Sequence, residues 1–160
     1  MWNGDVSRSA ADVLDELHAA SLCEFIDTTQ RFRLHDLAID FALAQLRVRG
    51  AAPSGQSEES TALLRHAEHF SRRLAAANDL FVKGGENIIP ALQRFDRDRA
   101  NIEAGQAWVT RVMKDPVGSA DSEIVRNAVR LANRYPDAGA DVLSLRRASR
   151  RSTRLTLAAS

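Results

Sequence analysis

The stretch 31–46, "RFRLHDLAIDFALAQL", changes its hydrophobic period in the middle. Residues 31–35 alternate polar and apolar side chains, which is typical of a half-buried strand, whereas the residues after Asp36 follow a helical pattern. A strand must therefore end, and a helix begin, at His35 and Asp36. The two ionisable side chains make this junction either a chemical site or a packed corner.

A helix and a β-hairpin are predicted ahead of the junction. Ser9 can cap the helix and Asp12 takes the capping-box position, so we expect the helix to run to about Ser21. The segments "LCEFID" and "RFRLH" are rich in β-forming residues and are separated by residues 28–30, which predicts a hairpin. The turn contains neither Gly nor Asn, so its type stays open.

The helix after the junction is expected to be largely enclosed. Asp36 can accept hydrogen bonds from the free amides of a helix that begins at Leu37. Apolar side chains occupy most sides of this helix: Leu37, Ile39, Phe41, Leu43 and Leu46. Loss of the Phe41 ring should therefore cost about 3 to 5 kcal/mol.

Residues 49–60, "RGAAPSGQSEES", form the clearest linker, with two Gly, one Pro and three Ser in twelve residues. The chain beyond it reads as helical. Helices are expected at about 61–82, at 91–113 as one helix or two that break near Asp96, from 122 to about 133, and again from about 141. "KGGEN" predicts a turn between the first two helices, and "YPDAG" predicts a stop after residue 133.

Several side chains are expected to be structural. In the helix at 61–82 the predicted core residues are Leu63, Ala67, Phe70 and Leu74, opposed by the charged residues Arg65, Glu68, Arg72 and Arg73. Cys23 is expected to be a small buried side chain, Trp108 a core residue and His18 a partly buried imidazole.

Charge and composition limit the functional classes. Twenty-two basic and 21 acidic side chains leave a net charge of +1, so no global field drives binding to nucleic acid or to anionic membranes. The single cysteine excludes an internal disulfide and agrees with a reducing cytoplasm. The N-terminus lacks the pattern of a secretory signal, and no window reaches the ~18 apolar residues of a membrane span. We therefore expect a soluble, cytoplasmic protein.

The sequence contains no motif of a self-sufficient active site. The motifs GxxxxGK[ST], GxGxxG, GxSxG and HExxH are all absent, so we expect no enzyme activity. His66 and His69 share a helical face, but zinc needs three or four ligands and no other His or Cys cluster supplies them, so we interpret the pair as a solvated face and expect no metal. The five arginines after Val142 could contact an anionic partner, although a short charge run is more often solvated.

The His35–Asp36 pair has two interpretations. In the first, Asp36 caps the helix and His35 simply finishes the strand. In the second, a rigidly held imidazole presents a hydrogen-bond donor to an anion such as a nucleotide diphosphate. Local physics favours the first interpretation.

Residues 12–46, "DVLDELHAASLCEFIDTTQRFRLHDLAIDFALAQL", resemble the C-terminal part of the winged-helix domain of NB-ARC/STAND signal-transduction NTPases. In that family a helix, a hairpin wing and the tripeptide Met-His-Asp or Leu-His-Asp follow one another, and the tripeptide matches Leu34, His35 and Asp36. The resemblance implies that His35 contacts the β-phosphate of bound ADP and holds the off state. It gives Asp36 the role of an orienting and capping partner.

The following segment resembles the helical connector of bacterial STAND proteins that carry tetratricopeptide repeats. The phrases are "RHAEHF", "GGENIIPALQRFDRDRANIEAGQAW" and "YPDAGADVLSLR", so the similarity covers roughly residues 10–146. The phosphate loop of the family has no counterpart here, so the chain itself is expected to hold no cofactor, and ADP or ATP belongs to the full-length family context. Residues 147–160 depart from the family and are expected to be a disordered or aberrant tail.

These observations predict a mainly α protein, composed of a partial winged helix with a two-stranded β-hairpin (residues 1–48), a linker (49–60) and an antiparallel, repeat-like helical connector (61–146). The expected function is a non-catalytic regulatory module of a STAND-type ATPase, truncated, that relays nucleotide state to a repeat sensor through protein partners or neighbouring domains. Two alternatives stay open: a small winged-helix DNA-binding regulator, and a decayed reading frame. The near-zero net charge argues against nucleic acid, and no membrane partner is expected.

Overall fold

The computed structural model describes residues 9–48, 57–115 and 122–143. It is mainly α-helical with one two-stranded antiparallel hairpin in these residues, which confirms the predicted fold class. The chain divides into two compact units, Met1–Gly50 and Ala51–Ser160, which are described separately below. The expected tail at 147–160 and most of the expected linker lie outside the described residues, so the domain boundaries stay predictions.

The first unit has the element order of the predicted partial winged helix. Its elements are α1 (Ala10–Ala19), β1 (Cys23–Ile26), β2 (Arg31–Leu34) and α2 (Asp36–Val48). The predicted capping box of α1 is confirmed: Asp12 N–H donates to Ser9 Oγ at 3.2 Å, and Ser9 N–H donates to Asp12 Oδ2 at 3.1 Å. Two backbone N–H groups at the start of α1 thus donate to side chains of the same turn.

The hairpin pairs Cys23 with Leu34 and Phe25 with Phe32, with the two phenyl centroids 5.1 Å apart. Because side chains alternate across a strand, these four share one face, and Cys23 is buried there as predicted. The four-residue turn relies on Gln30, whose φ of 53° places it in the left-handed region. The turn therefore forms without the glycine that usually occupies such a position.

The expectation that α2 is enclosed is wrong. No described residue of α2 is buried, and Leu37 and Phe41 are 83% and 66% exposed. The apolar residues around this helix predicted burial, but burial also needs facing elements. The described residues of the unit supply only one short helix and two four-residue strands besides α2. Replacement of Phe41 by alanine should therefore lower the free energy of unfolding by far less than the loss expected from the sequence.

In the described residues, short helical segments at Gly85–Asn87 and 140–143 accompany the three long helices of the second unit. The long helices are α3 (Glu58–Val82), α4 (Ile88–Lys114) and α5 (Ser122–Ala138). Gly84 and Gly85 have φ values of 70° and 56° and form the predicted break between α3 and α4, a conformation that glycine adopts without a Cβ clash. α4 is one continuous helix and does not break near Asp96.

Side-chain pairs show that α3 and α4 are antiparallel. Arg73 on α3 pairs with Asp98 on α4, whereas His66, earlier on α3, lies against Asn101, later on α4. The predicted antiparallel arrangement is therefore confirmed for this pair of helices.

The core follows a stripe along α4 in which buried residues recur at alternating steps of four and three. Its members are Ala91, Phe95, Asp98, Ile102, Gly105, Val109 and Val112. Trp108 is buried beside this stripe, as predicted. The stripe contains one carboxylate and one glycine, and both serve specific contacts.

The core-facing side of α3 is rotated from the predicted one. Ala67 and Leu74 are buried as predicted, together with Leu64, Ser71 and Ala77, whereas Leu63 and Phe70 are only partly buried against the core. The rotation also brings Arg73, predicted to lie on the outer face, beside α4. Ser71 and Ala77 carry too little hydrophobicity to reveal the true face of the helix.

α5 continues through Pro136 to Ala138, so the predicted stop after residue 133 is wrong. Proline in a helix loses one hydrogen bond and costs about 3 kcal/mol. Leu131 and Tyr135, which precede Pro136 in the same helix, are buried, and their burial offsets this cost. Local sequence signals are here overridden by packing.

Asn78 of α3 caps the short helical segment 140–143 that follows α5. Its Oδ1 accepts hydrogen bonds from the backbone amides of Asp141, at 3.1 Å, and Val142, at 3.2 Å. Its Nδ2 donates to Asp141 Oδ2 at 3.2 Å. An N-cap is normally supplied by the residue before the helix, whereas here it comes from a neighbouring helix.

Tyr135 joins α5 to α3 by a buried hydrogen bond. Its hydroxyl donates to the backbone oxygen of Ala67 at 2.8 Å, and only 1% of the residue is exposed. Because Ala67 meets Tyr135 while Asn78, later on α3, meets Asp141, α5 runs parallel to α3. Burial raises the pKa of the Tyr135 hydroxyl from 10.0 to about 12.

Stability is expected to fall between pH 10 and 12 because of this hydroxyl. The raised folded-state pKa means that the folded chain holds the proton more tightly than the unfolded chain, so the contribution is complete below pH 10 and is lost as pH rises towards 12. The loss should amount to about 3 kcal/mol, because each unit of pKa corresponds to about 1.4 kcal/mol. Urea unfolding across this range should show it in the parent and not in Tyr135→Phe; equal pH dependence in both would contradict the assignment.

Candidate functional site: the His35–Asp36 corner

The backbone of His35 is held on both sides. Its N–H donates to Leu22 O at 3.1 Å, which extends the hairpin ladder by one pair. Its C=O accepts from the N–H groups of Ala38 and Ile39 at 2.9 and 3.1 Å, which starts α2. The chain therefore changes from strand to helix at a single residue with a fixed backbone.

The side chains of the corner face solvent. Both His35 and Asp36 are exposed, and within the described residues neither side chain has a hydrogen-bond partner. The structure thus places both predicted site residues next to each other on a rigid corner. An exposed imidazole in this position can donate to, or accept from, an external group.

Asp36 does not act as the predicted cap. It is the first residue of α2, and His35 occupies the capping position, so the carboxylate lies inside the first turn. There its charge stabilises the positive end of the helix dipole. The same charge repels an incoming anion, so His35 alone of the two can favour a phosphate.

The other histidines have structural contacts. Nδ1 of His18 donates to Cys23 O at 3.1 Å and its ring lies edge-on to Phe32, although the residue is exposed and not partly buried as predicted. Nε2 of His66 lies 3.3 Å from Asn101 Oδ1, and its ring packs against Phe70. Partial burial of His66 corrects the interpretation that it lies on a fully solvated face.

The described residues contain no group of three or more His, Cys, Asp or Glu side chains arranged to hold a metal ion. A cavity of about 210 Å³ lies between the start of α3 and the end of α4, where Glu59, Trp108 and Arg111 contribute to its lining. Its wall combines charges of both signs. No described helix has the length and hydrophobicity that crossing a bilayer requires.

Comparison with protein-family models, curated proteins and solved structures finds no match.

Sequence reasoning missed the buried charge of the bundle. Asp98 is 1% exposed, and its Oδ2 accepts from Arg73 Nε at 2.8 Å. A usable signal existed: Asp98 falls between Phe95 and Ile102 in the spacing of the α4 stripe, and a carboxylate in such a position needs a buried partner. The pair links α3 to α4, and we interpret it as structural.

Proposed function

We propose that this chain is a non-catalytic, cytoplasmic regulatory module of a STAND-type ATPase that relays nucleotide state from an ATPase domain to a repeat sensor. The observation that carries the proposal is the His35 corner. A backbone that is hydrogen-bonded on both sides and an exposed ring suit a residue that reports the presence of a phosphate supplied by another domain. Such a contact favours one of two packing states of the module.

Two further features support a role in association with other protein surfaces. Cys23 is the one buried residue among residues 9–48 of the first unit, so these residues form almost no core by themselves. In addition, α2 exposes large apolar side chains. Both features are typical of a part that functions when it is packed against another element.

The charges around the hairpin favour this proposal over DNA binding. In a winged helix the helix ahead of the wing would have to approach phosphates, and here α1 carries Asp12, Asp15 and Glu16. These acids would repel the backbone of a duplex. A gel-shift series on random duplex should show no salt-sensitive binding; strong binding that weakens steeply with salt would favour the DNA-binding alternative.

A nucleotide titration tests the sensing role. We expect no saturable binding of ADP to this chain alone, because His35 offers a single contact. The coding sequence upstream should specify a phosphate-loop domain, and together with that domain His35→Ala should weaken ADP binding by roughly 10- to 100-fold, the loss of one charge-assisted hydrogen bond.

The matched control is His69→Ala, because His69 is an exposed histidine on α3. It should leave ADP affinity unchanged in the same titration. An upstream sequence without a phosphate loop, or equal affinities for both variants, would overturn the proposal.

A further inference from the structure

The apolar face of α2 has the spacing of a two-helix seam. Leu37, Phe41, Ala44 and Val48 follow one another at steps of four, three and four residues, and we call them the α2 stripe. All four are exposed; Leu37 and Val48 exceed 80%. Steps of four and three are those by which a helix presents the a and d positions of a coiled coil to a second helix.

The side-chain sizes within the α2 stripe are complementary to a reversed copy of themselves. An antiparallel second copy, related by a two-fold axis, puts Phe41 opposite Ala44 and Leu37 opposite Val48, so a large residue faces a small one in the central layers. A parallel copy would put Phe41 against Phe41 and Ala44 against Ala44. That arrangement crowds one layer and leaves a void in the next.

The flanking charges select the same arrangement. With Phe41 and Val48 at a positions, Asp40 and Arg47 each precede an a position and are therefore both g positions. Antiparallel helices bring g positions of the two copies together, so Asp40 of each copy faces Arg47 of the other. The contact is thus electrostatically self-complementary, as a two-fold interface requires.

From these observations we propose that the α2 stripe binds the α2 stripe of a second copy of this chain, antiparallel and two-fold symmetric. The inference does not depend on nucleotide sensing. Each copy contributes three large apolar side chains, so the interface belongs to the small class below about 1,200 Å² and the dimer is a weak, reversible one.

Sedimentation equilibrium of the full chain from micromolar to millimolar concentration tests the proposal. The parent should show a reversible monomer–dimer equilibrium, and Phe41→Glu should raise its dissociation constant by at least about tenfold, because a charge would be buried at the seam. Val82→Glu is the matched control, since Val82 is 65% exposed and lies at the end of α3, outside the stripe. It should leave the dimer intact.

Charge reversal tests the orientation. Asp40→Arg and Arg47→Asp should each weaken the dimer, and the double variant should restore it, because only the antiparallel arrangement places these residues opposite each other. A parent that stays monomeric throughout, a Val82→Glu effect equal to that of Phe41→Glu, or a double variant without restoration would overturn the proposal. If the parent stays monomeric, the α2 stripe packs against another surface, such as a neighbouring domain, and not against a second copy.

Discussion

Replacement of Gly105 by alanine is expected to destabilise the helical unit by about 3 kcal/mol. A Cβ at this position would overlap the Tyr135 hydroxyl and lie 3.1 Å from Ala67 Cα, which is backbone and cannot move aside. Overpacking of this kind costs about 1 to 3 kcal/mol, and displacement of the buried hydroxyl from its acceptor adds about 1 to 3 kcal/mol. The better helix propensity of alanine returns about 1 kcal/mol. Urea unfolding followed by circular dichroism measures the difference.

A double variant identifies the cause of this effect. Tyr135→Phe removes the oxygen that the new methyl group would meet, so Gly105→Ala should be clearly less damaging in the Tyr135→Phe background than in the parent. Strictly additive losses would mean that the hydroxyl is not the obstacle. The glycine would then be needed for another reason, such as the approach of the α3 backbone.

Replacement of Arg73 by alanine is expected to cost about 3 kcal/mol, at the lower end of the range for breaking a buried ion pair. Arg73 Nε donates to Asp98 Oδ2 at 2.8 Å, and the Asp98 side chain is 1% exposed. The substitution leaves a carboxylate in the core without its guanidinium partner, whereas the wild-type arginine is itself 40% exposed and gives up less hydration. Thermal or urea unfolding should show the loss directly.

Arg72→Ala provides the control for that experiment. Arg72 is the preceding residue on α3 and is exposed, so its removal changes the net charge equally and should alter stability by less than about 0.5 kcal/mol. Equal losses in the two variants would show that general charge effects, and not the pair with Asp98, account for the result.

The elements that could be predicted from the sequence depend on neighbouring residues. The capping box of Ser9 and Asp12, the hairpin and the glycine turn before α4 all result from contacts within a few residues, and the structure contains each of them. For the same reason the strand-to-helix change at His35 was correctly located. Local chemistry is sufficient for such features because no distant partner is involved.

The elements that could not be predicted depend on distant partners. On α3 the prediction is confirmed for Ala67 and Leu74, but Leu63 and Phe70 are only partly buried while Leu64, Ser71 and Ala77 are buried. The approach of α4 and α5 decides which side is covered, and the hydrophobicity of single residues does not reveal it. The helix continues through Pro136 because the burial of neighbouring side chains offsets the local cost of the proline. The prediction that α2 is enclosed was wrong for a related reason. An apolar sequence indicates that burial would stabilise a helix, but it does not show that another element packs against that helix.

The Asn78 cap and the Tyr135 hydrogen bond together restrict how α5 can slide along α3. An apolar surface tolerates a shift of one helical turn, about 5.4 Å, at moderate cost because one aliphatic contact can replace another. The two polar contacts cannot be replaced in this way, since Asn78 Oδ1 must meet the amides of Asp141 and Val142 while Tyr135 reaches Ala67 O. A slipped α5 would lose both at once, so these directional contacts select a single register for the third helix.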